Sequence, residues 1–122
     1  MSTVLIVEDN DKNMKLARDV LRAKGYETLE AVTGEEGVKL AKAKKPDLVL
    51  MDIQLPGING VEAFRQIRGD AATCGIPVVA LTASVTPTDR GAITAAGFDA
   101  FLSKPINLKE FLDTVKRMVE KK

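Results

Sequence analysis

Three short uninterrupted apolar runs, Val4-Leu5-Ile6-Val7, Leu48-Val49-Leu50-Met51 and Val78-Val79-Ala80-Leu81, constrain this chain more than any other feature. Each is too short for a helix, and a strand with one face in water would alternate apolar with polar residues. The runs therefore read as strands covered on both faces, as in a parallel sheet held between helices. Two weaker strands complete the set: Glu27 to Ala31, after the Gly25-Tyr26 break, and Asp99 to Leu102, after Gly97-Phe98.

Helical spacing fills the gaps between these strands. It is clearest near the end, where Leu108, Phe111, Leu112, Val115, Met118 and Val119 fall on one face, with Asn107 and Glu110 placed as N-cap and N3 of a capping box. Thr33 and Glu36 have the same spacing ahead of Val38 to Ala43, and Met14, Ala17, Val20 and Leu21 mark a first helix that Gly25 ends. A third helix is predicted from about Ile58 to Arg68, stopped by Gly69. The fourth, over Thr86 to Ala96, starts well with Pro87 at N1. Its apolar face is mostly alanine, and Gly91 and Thr94 lower its propensity, which suits a thinly packed moving part.

Strands alternating with helices give a doubly wound α/β domain with a five-stranded parallel sheet, because right-handed crossovers cover both faces. The flavodoxin-like order 2-1-3-4-5 places the three most apolar strands in the middle. With 122 residues, 45% of them apolar, residues 1–122 are expected to form one domain with no separate output domain. Eighteen basic residues against 17 acidic ones, spread along the chain, build no strong field for direct contact with nucleic acid or anionic lipid. No run approaches the roughly 20 apolar residues of a membrane span, and Met1-Ser2-Thr3 passes into the first strand without the basic region, long apolar stretch or cleavage site of a secretory leader, so none is expected. The single Cys74, in a chain without histidine, completes neither a disulfide nor a zinc site, so a reducing, cytoplasmic setting is expected.

Chemistry in such sheets gathers beyond the carboxyl ends of the strands. Glu8-Asp9-Asn10-Asp11 follows the first strand, Asp52 closes the third, Thr82-Ala83-Ser84 follows the fourth and Ser103-Lys104-Pro105 the fifth. In the proposed order Asp9, Asp52, Thr82 and Lys104 converge in one shallow cleft. Carboxylates gathered there repel one another unless a cation joins them. Oxygen donors alone favour Mg²⁺, with Mn²⁺ a possible substitute, held by Asp9 and Asp52 directly and by Glu8 directly or through water. The competing reading is that these acids cap helices, as Asp9 or Asp11 could. Asp52 rides on a rigid buried strand, which suits a nucleophile attacking phosphorus to give an aspartyl phosphate. Lys104 would then supply a fixed positive charge, and the Thr82 hydroxyl a hydrogen bond to a phosphoryl oxygen.

The motifs Val7-Glu8-Asp9-Asn10, Leu50 to Pro56, Gly60, Leu81-Thr82-Ala83 and Ser103-Lys104-Pro105 resemble the bacterial response-regulator receiver family over nearly the whole chain. Within it, Asn10 to Leu16, Gly25 to Leu29 and Met51 to Pro56 look most like DivK-type single-domain regulators. The resemblance implies that Asp52 accepts phosphate from a histidine kinase or phosphotransfer protein, and that Glu8, Asp9, Asp52 and the Gln54 backbone carbonyl hold Mg²⁺. It also implies that Lys104 and Thr82 bind the phosphoryl group. Phe101 stands where the family carries its switch aromatic, turning inward as Thr82 moves and altering the face made by residues 86–96, the last strand and the last helix.

Two departures stand out. Glu8 occupies a position where many members have a second aspartate, and Phe101 replaces the commoner tyrosine, which removes a hydroxyl. The chain is thus expected to be a signalling switch that assists only its own phosphorylation and dephosphorylation. It would act as a monomer or weak dimer on a downstream protein target. Two other classes share parts of the pattern. A flavodoxin-like cofactor carrier would want a Gly-, Ser- or Thr-rich loop where Glu8-Asp9-Asn10-Asp11 stands. A Mg²⁺-dependent phosphatase with an aspartyl nucleophile would want an insertion to form a lid.

Overall fold

A computed structural model describes residues 2–53, 60–82, 95, 97–103 and 107–120. The elements run β1 (Thr3–Val7), α1 (Asp11–Ala23), β2 (Glu27–Ala31), α2 (Gly34–Lys44), β3 (Leu48–Asp52), α3 (Gly60–Arg68), β4 (Val78–Thr82), β5 (Ala100–Ser103) and α4 (Leu108–Glu120). All strand pairings are parallel, and the sheet order is β2-β1-β3-β4-β5, as the apolar runs predict. Of the helix predicted over residues 86–96, only Ala95 lies among the described residues.

Side-chain alternation on the central strands explains why those runs carry no polar residue. Val4, Ile6, Leu48, Leu50, Val79 and Leu81 point to one layer, where they meet Met14, Ala17 and Leu21 of α1 and Phe111, Val115 and Met118 of α4. Leu5, Val7, Val49, Met51 and Val78 point to the other, against Val38 and Ala41 of α2 and Ala63, Phe64 and Ile67 of α3. Each strand thus feeds two separate cores, and a polar residue at either parity would be buried without water.

Local chemistry sets the helix ends. Asn10 is the N-cap of α1, its side chain accepting from the Asn13 N–H at 3.0 Å. At the other end Gly25 takes a φ of +90°, a left-handed turn that suits glycine and lets Tyr26 N–H return to the Leu21 carbonyl. Thr33 caps α2 by accepting from Glu36 N–H, while the Glu36 carboxylate reaches back to the Val32 N–H, one residue before the cap itself. Asn107 accepts from Glu110 N–H at 3.0 Å and starts α4.

One strand boundary and the burial of one helix residue differ from the sequence expectation. Strand β5 begins at Ala100, because the Asp99 carboxylate is engaged as a clamp, accepting from Val78 N–H and from Arg68 Nη2, both at 2.8 Å. Leu108, predicted to join the apolar face of the last helix, is 47% exposed; as the first residue of α4 it precedes the stretch that packs on the sheet.

Candidate functional site

Parallel strands end together, so the carboxyl ends of β1, β3, β4 and β5 present their next residues along one edge. The register pairs Val7 with Met51, Asp52 with Leu81 and Thr82 with Ser103, which sets these ends side by side. Pairing continues one residue past two of the strands: Glu8 N–H donates to Ala31 O and Ile53 N–H donates to Leu81 O, both at 3.0 Å. The backbone beneath the site is therefore held by ladder bonds on each side.

Glu8 and Asp52 are buried, at 1% and 4% exposure, while Asp9 is exposed. One carboxylate oxygen from each of Glu8, Asp9 and Asp52 lies within 4.8 Å of the others. Two ligands of a magnesium ion, each about 2.1 Å from it, can be at most about 4.2 Å apart, so a small side-chain adjustment or one bridging water brings this trio to a common ion. For the buried pair Glu8 and Asp52, two full negative charges at this separation repel by roughly 3 kcal/mol at an effective dielectric near 20. Hard oxygen donors under mutual repulsion are what a small divalent cation offsets, so the residues present fit Mg²⁺.

The capping alternative fails for Asp9 and Asp11. The N-cap of α1 is Asn10, with Asp11 inside the first turn, which leaves Asp9 at the mouth of the cleft rather than on the helix end. Glu8 is braced by that same helix start: its Oε1 accepts from Asn10 N–H at 3.3 Å and from Asn13 Nδ2 at 3.4 Å. Thr82, the last residue of β4, is 5% exposed beside the strand that bears Asp52. Phe101 is half-buried in β5, paired in register with Ala80. Lys104, Pro105, Gln54 and Ser84 lie outside the described residues.

Two contributors were not readable as such in the sequence. Asn13 touches Glu8 only because α1 starts where it does, although its spacing of three from a good capping residue is a local signal. Gly60, the first residue of α3, sits so close to the strand end that a Cβ there would lie 2.7 Å from Ile53 Cα and nearer still to the Asp52 carbonyl oxygen. Its own N–H donates to Ile53 O at 3.0 Å. Only a glycine lets α3 press against the backbone that carries Asp52.

A doubly wound sheet with an acidic trio at the ends of β1 and β3 is the arrangement of a phosphorylation-type receiver, and the chain belongs to the response regulator receiver domain family, whose model matches residues 4–116. Among curated relatives, the polar-differentiation response regulator DivK of Brucella anthropi is 45% identical over 114 residues, 93% of each chain. The receiver domain of a sensor histidine kinase from Pseudomonas aeruginosa, solved with a magnesium ion coordinated in its active-site cleft, is 32% identical with a TM-score of 0.91 over 98% of both chains. The chemotaxis protein CheY4 of Vibrio cholerae matches with a TM-score of 0.90 and 27% identity, covering 97% of this chain and 98% of that one. Among the described residues no helix is long and apolar enough to cross a membrane.

Proposed function

We propose that this receiver takes a phosphoryl group onto Asp52 from the phosphohistidine of a histidine kinase or phosphotransfer protein, and signals by changing its affinity for a downstream protein. The observation that carries this reading is the convergence of Glu8, Asp9 and Asp52, with Asp52 nearly buried at the end of a central strand. An Asp52 carboxylate oxygen attacks phosphorus in line; the P–O bond forms as the P–N bond to the donor imidazole breaks, and the imidazole leaves with the bonding pair. The bound Mg²⁺, held by Glu8, Asp9, Asp52 and the Gln54 carbonyl, would supply charge neutralisation for the incoming phosphoryl oxygens. Burial of Asp52 on a ladder-bonded strand keeps its carboxylate from wandering, so orientation is prepaid.

Lys104 and the Thr82 hydroxyl take the remaining phosphoryl oxygens. Thr82 is 5% exposed at the end of β4, and its pairing with Ser103 would link phosphorylation to the neighbouring β5. Phe101, two residues before Ser103, is the side chain that would respond, altering the face built by residues 86–96, β5 and α4. In this reading residues 1–122 act as one receiver unit in the cytoplasm, a monomer or weak dimer whose only chemistry is on its own aspartate.

The test is intact-mass measurement of the protein and its Asp52→Asn variant after incubation with acetyl phosphate, with Mg²⁺ or with chelator. Labelling is expected for the parent protein with Mg²⁺ alone. Equal labelling of the variant removes Asp52 from its role, and equal labelling in chelator removes the metal.

A further inference from the structure

The transfer chemistry proposed above leaves one group at the site without a task. Asn13 lies in the first turn of α1, half-buried, with its side-chain amide directed at Glu8 Oε1 at 3.4 Å. Its own backbone N–H is taken by the Asn10 side chain at 3.0 Å, and Asn10 N–H donates to the same Glu8 oxygen at 3.3 Å. Glu8, Asn10 and Asn13 therefore close a small ring of hydrogen bonds between the end of β1 and the start of α1. Met14, the next residue, is 6% exposed in the core and anchors the turn to the sheet.

Glutamate carries one more methylene and one more torsion than aspartate, so its carboxylate has more places to go. At this position an unguided glutamate would spread its charge over several rotamers. An amide donor restrains it without cost to the cation: lysine or arginine would compete with the ion for the carboxylates, and aspartate would add a fourth negative charge to the trio. We infer that Asn13 is a positioning residue whose side-chain amide orients the Glu8 carboxylate toward the cation site shared with Asp9 and Asp52. The inference rests on the magnesium reading of that site.

A structural role alone predicts something different. Asn13→Ala loses the hydrogen bond to Glu8 but gains helix propensity, so α1 is expected to stay folded, and a purely structural role would show in the melting temperature and not in metal affinity. A positioning role predicts weaker metal binding in that same well-folded variant, and it predicts that the effect depends on the length of residue 8.

The experiment follows Mg²⁺ titrations of the full chain by amide chemical shifts, without any phosphodonor, for the parent protein, Asn13→Ala, Glu8→Asp and the double variant, with melting temperatures in parallel. Asn13→Ala is expected to bind Mg²⁺ about tenfold more weakly, the low end for loss of a hydrogen bond to a metal ligand. In the Glu8→Asp background the same substitution is expected to leave affinity unchanged, because the shorter carboxylate withdraws from the amide. Equal affinities of the parent and Asn13→Ala, or the same loss in both backgrounds, overturn the role given to Asn13 while leaving the magnesium site standing. If the parent protein gives no saturable shifts near Glu8, Asp9 and Asp52, the magnesium reading itself is wrong and the inference falls with it.

Discussion

Replacing Gly60 by alanine sets two opposed effects against each other at the base of the site. Alanine in a helix is favoured over glycine by roughly 1 kcal/mol. At Gly60 the new Cβ would lie 2.7 Å from Ile53 Cα and 2.9 Å from the Asp52 carbonyl carbon, whereas ordinary contact begins at 3.4 Å. The neighbours are backbone, pinned by Ile53 N–H to Leu81 O and by Gly60 N–H to Ile53 O, so no side chain can swing away. Relieving the Ile53 contact alone takes about 0.7 Å and the Asp52 carbonyl oxygen, nearer still, takes more, so either α3 or the end of β3 must retreat, and overpacking of that kind costs about 1–3 kcal/mol. The clash wins, by up to about 2 kcal/mol net.

The larger consequence is chemical, since a displacement near 1 Å at a reacting group can cost about 100-fold in rate. Denaturant midpoints and acetyl phosphate labelling rates of Gly60→Ala measure the two parts separately. Gly75→Ala is the control: a Cβ there meets nothing within 4 Å, so its labelling rate is expected to match the parent protein. Parent-like stability and labelling in Gly60→Ala would refute the argument that the helix start braces the Asp52 backbone.

Other expectations follow from single interactions. Asp99→Ala removes the acceptor shared by Val78 N–H and Arg68, and should lower unfolding free energy by about 1–3 kcal/mol in urea titrations, whereas Lys15→Ala, breaking an ion pair between exposed side chains, should change it by less than about 1 kcal/mol. Phe111→Ala empties a fully buried position between α4 and the sheet and should cost about 3–5 kcal/mol by the same measurement. The Asp70 carboxyl is held below its ordinary value of 3.8, first by the Ala72 N–H it accepts and then by nearby Lys42, opposed by some desolvation. A lowered folded value stabilises the protein above pH 3.8, and that contribution is lost as pH falls through the folded value. Asp70→Asn keeps the amide-accepting oxygen but not the titration, so its urea midpoint should fall less than the parent's between about pH 5 and about pH 2.

The described elements and the strand order were legible in the sequence because their signals are local. Apolar runs without alternation marked β1, β3 and β4, and Thr33, Asn107 and Gly25 punctuated the helices where the structure has their caps and breaks. The acidic candidates were legible too, since an acid at the end of an apolar strand has one edge to go to once the topology is set. Less local features were harder to read. Leu108 fits the periodic stripe of its helix yet points to water, because periodicity says nothing about where a helix stops touching the sheet. The Asp99 clamp needed the end of α3 and the start of β4 to meet.

What the sequence determined by itself was a sheet buried on both faces, with carboxylates gathered at its carboxyl edge. Tertiary structure alone decided that Asn10, rather than an acid, caps α1, that Asn13 then reaches Glu8, and that α3 presses on Asp52 through Gly60. The division has a physical cause. Burial and chain propensity are properties of neighbours along the backbone, whereas the direction of a carboxylate within a site depends on contacts between segments that only packing brings together.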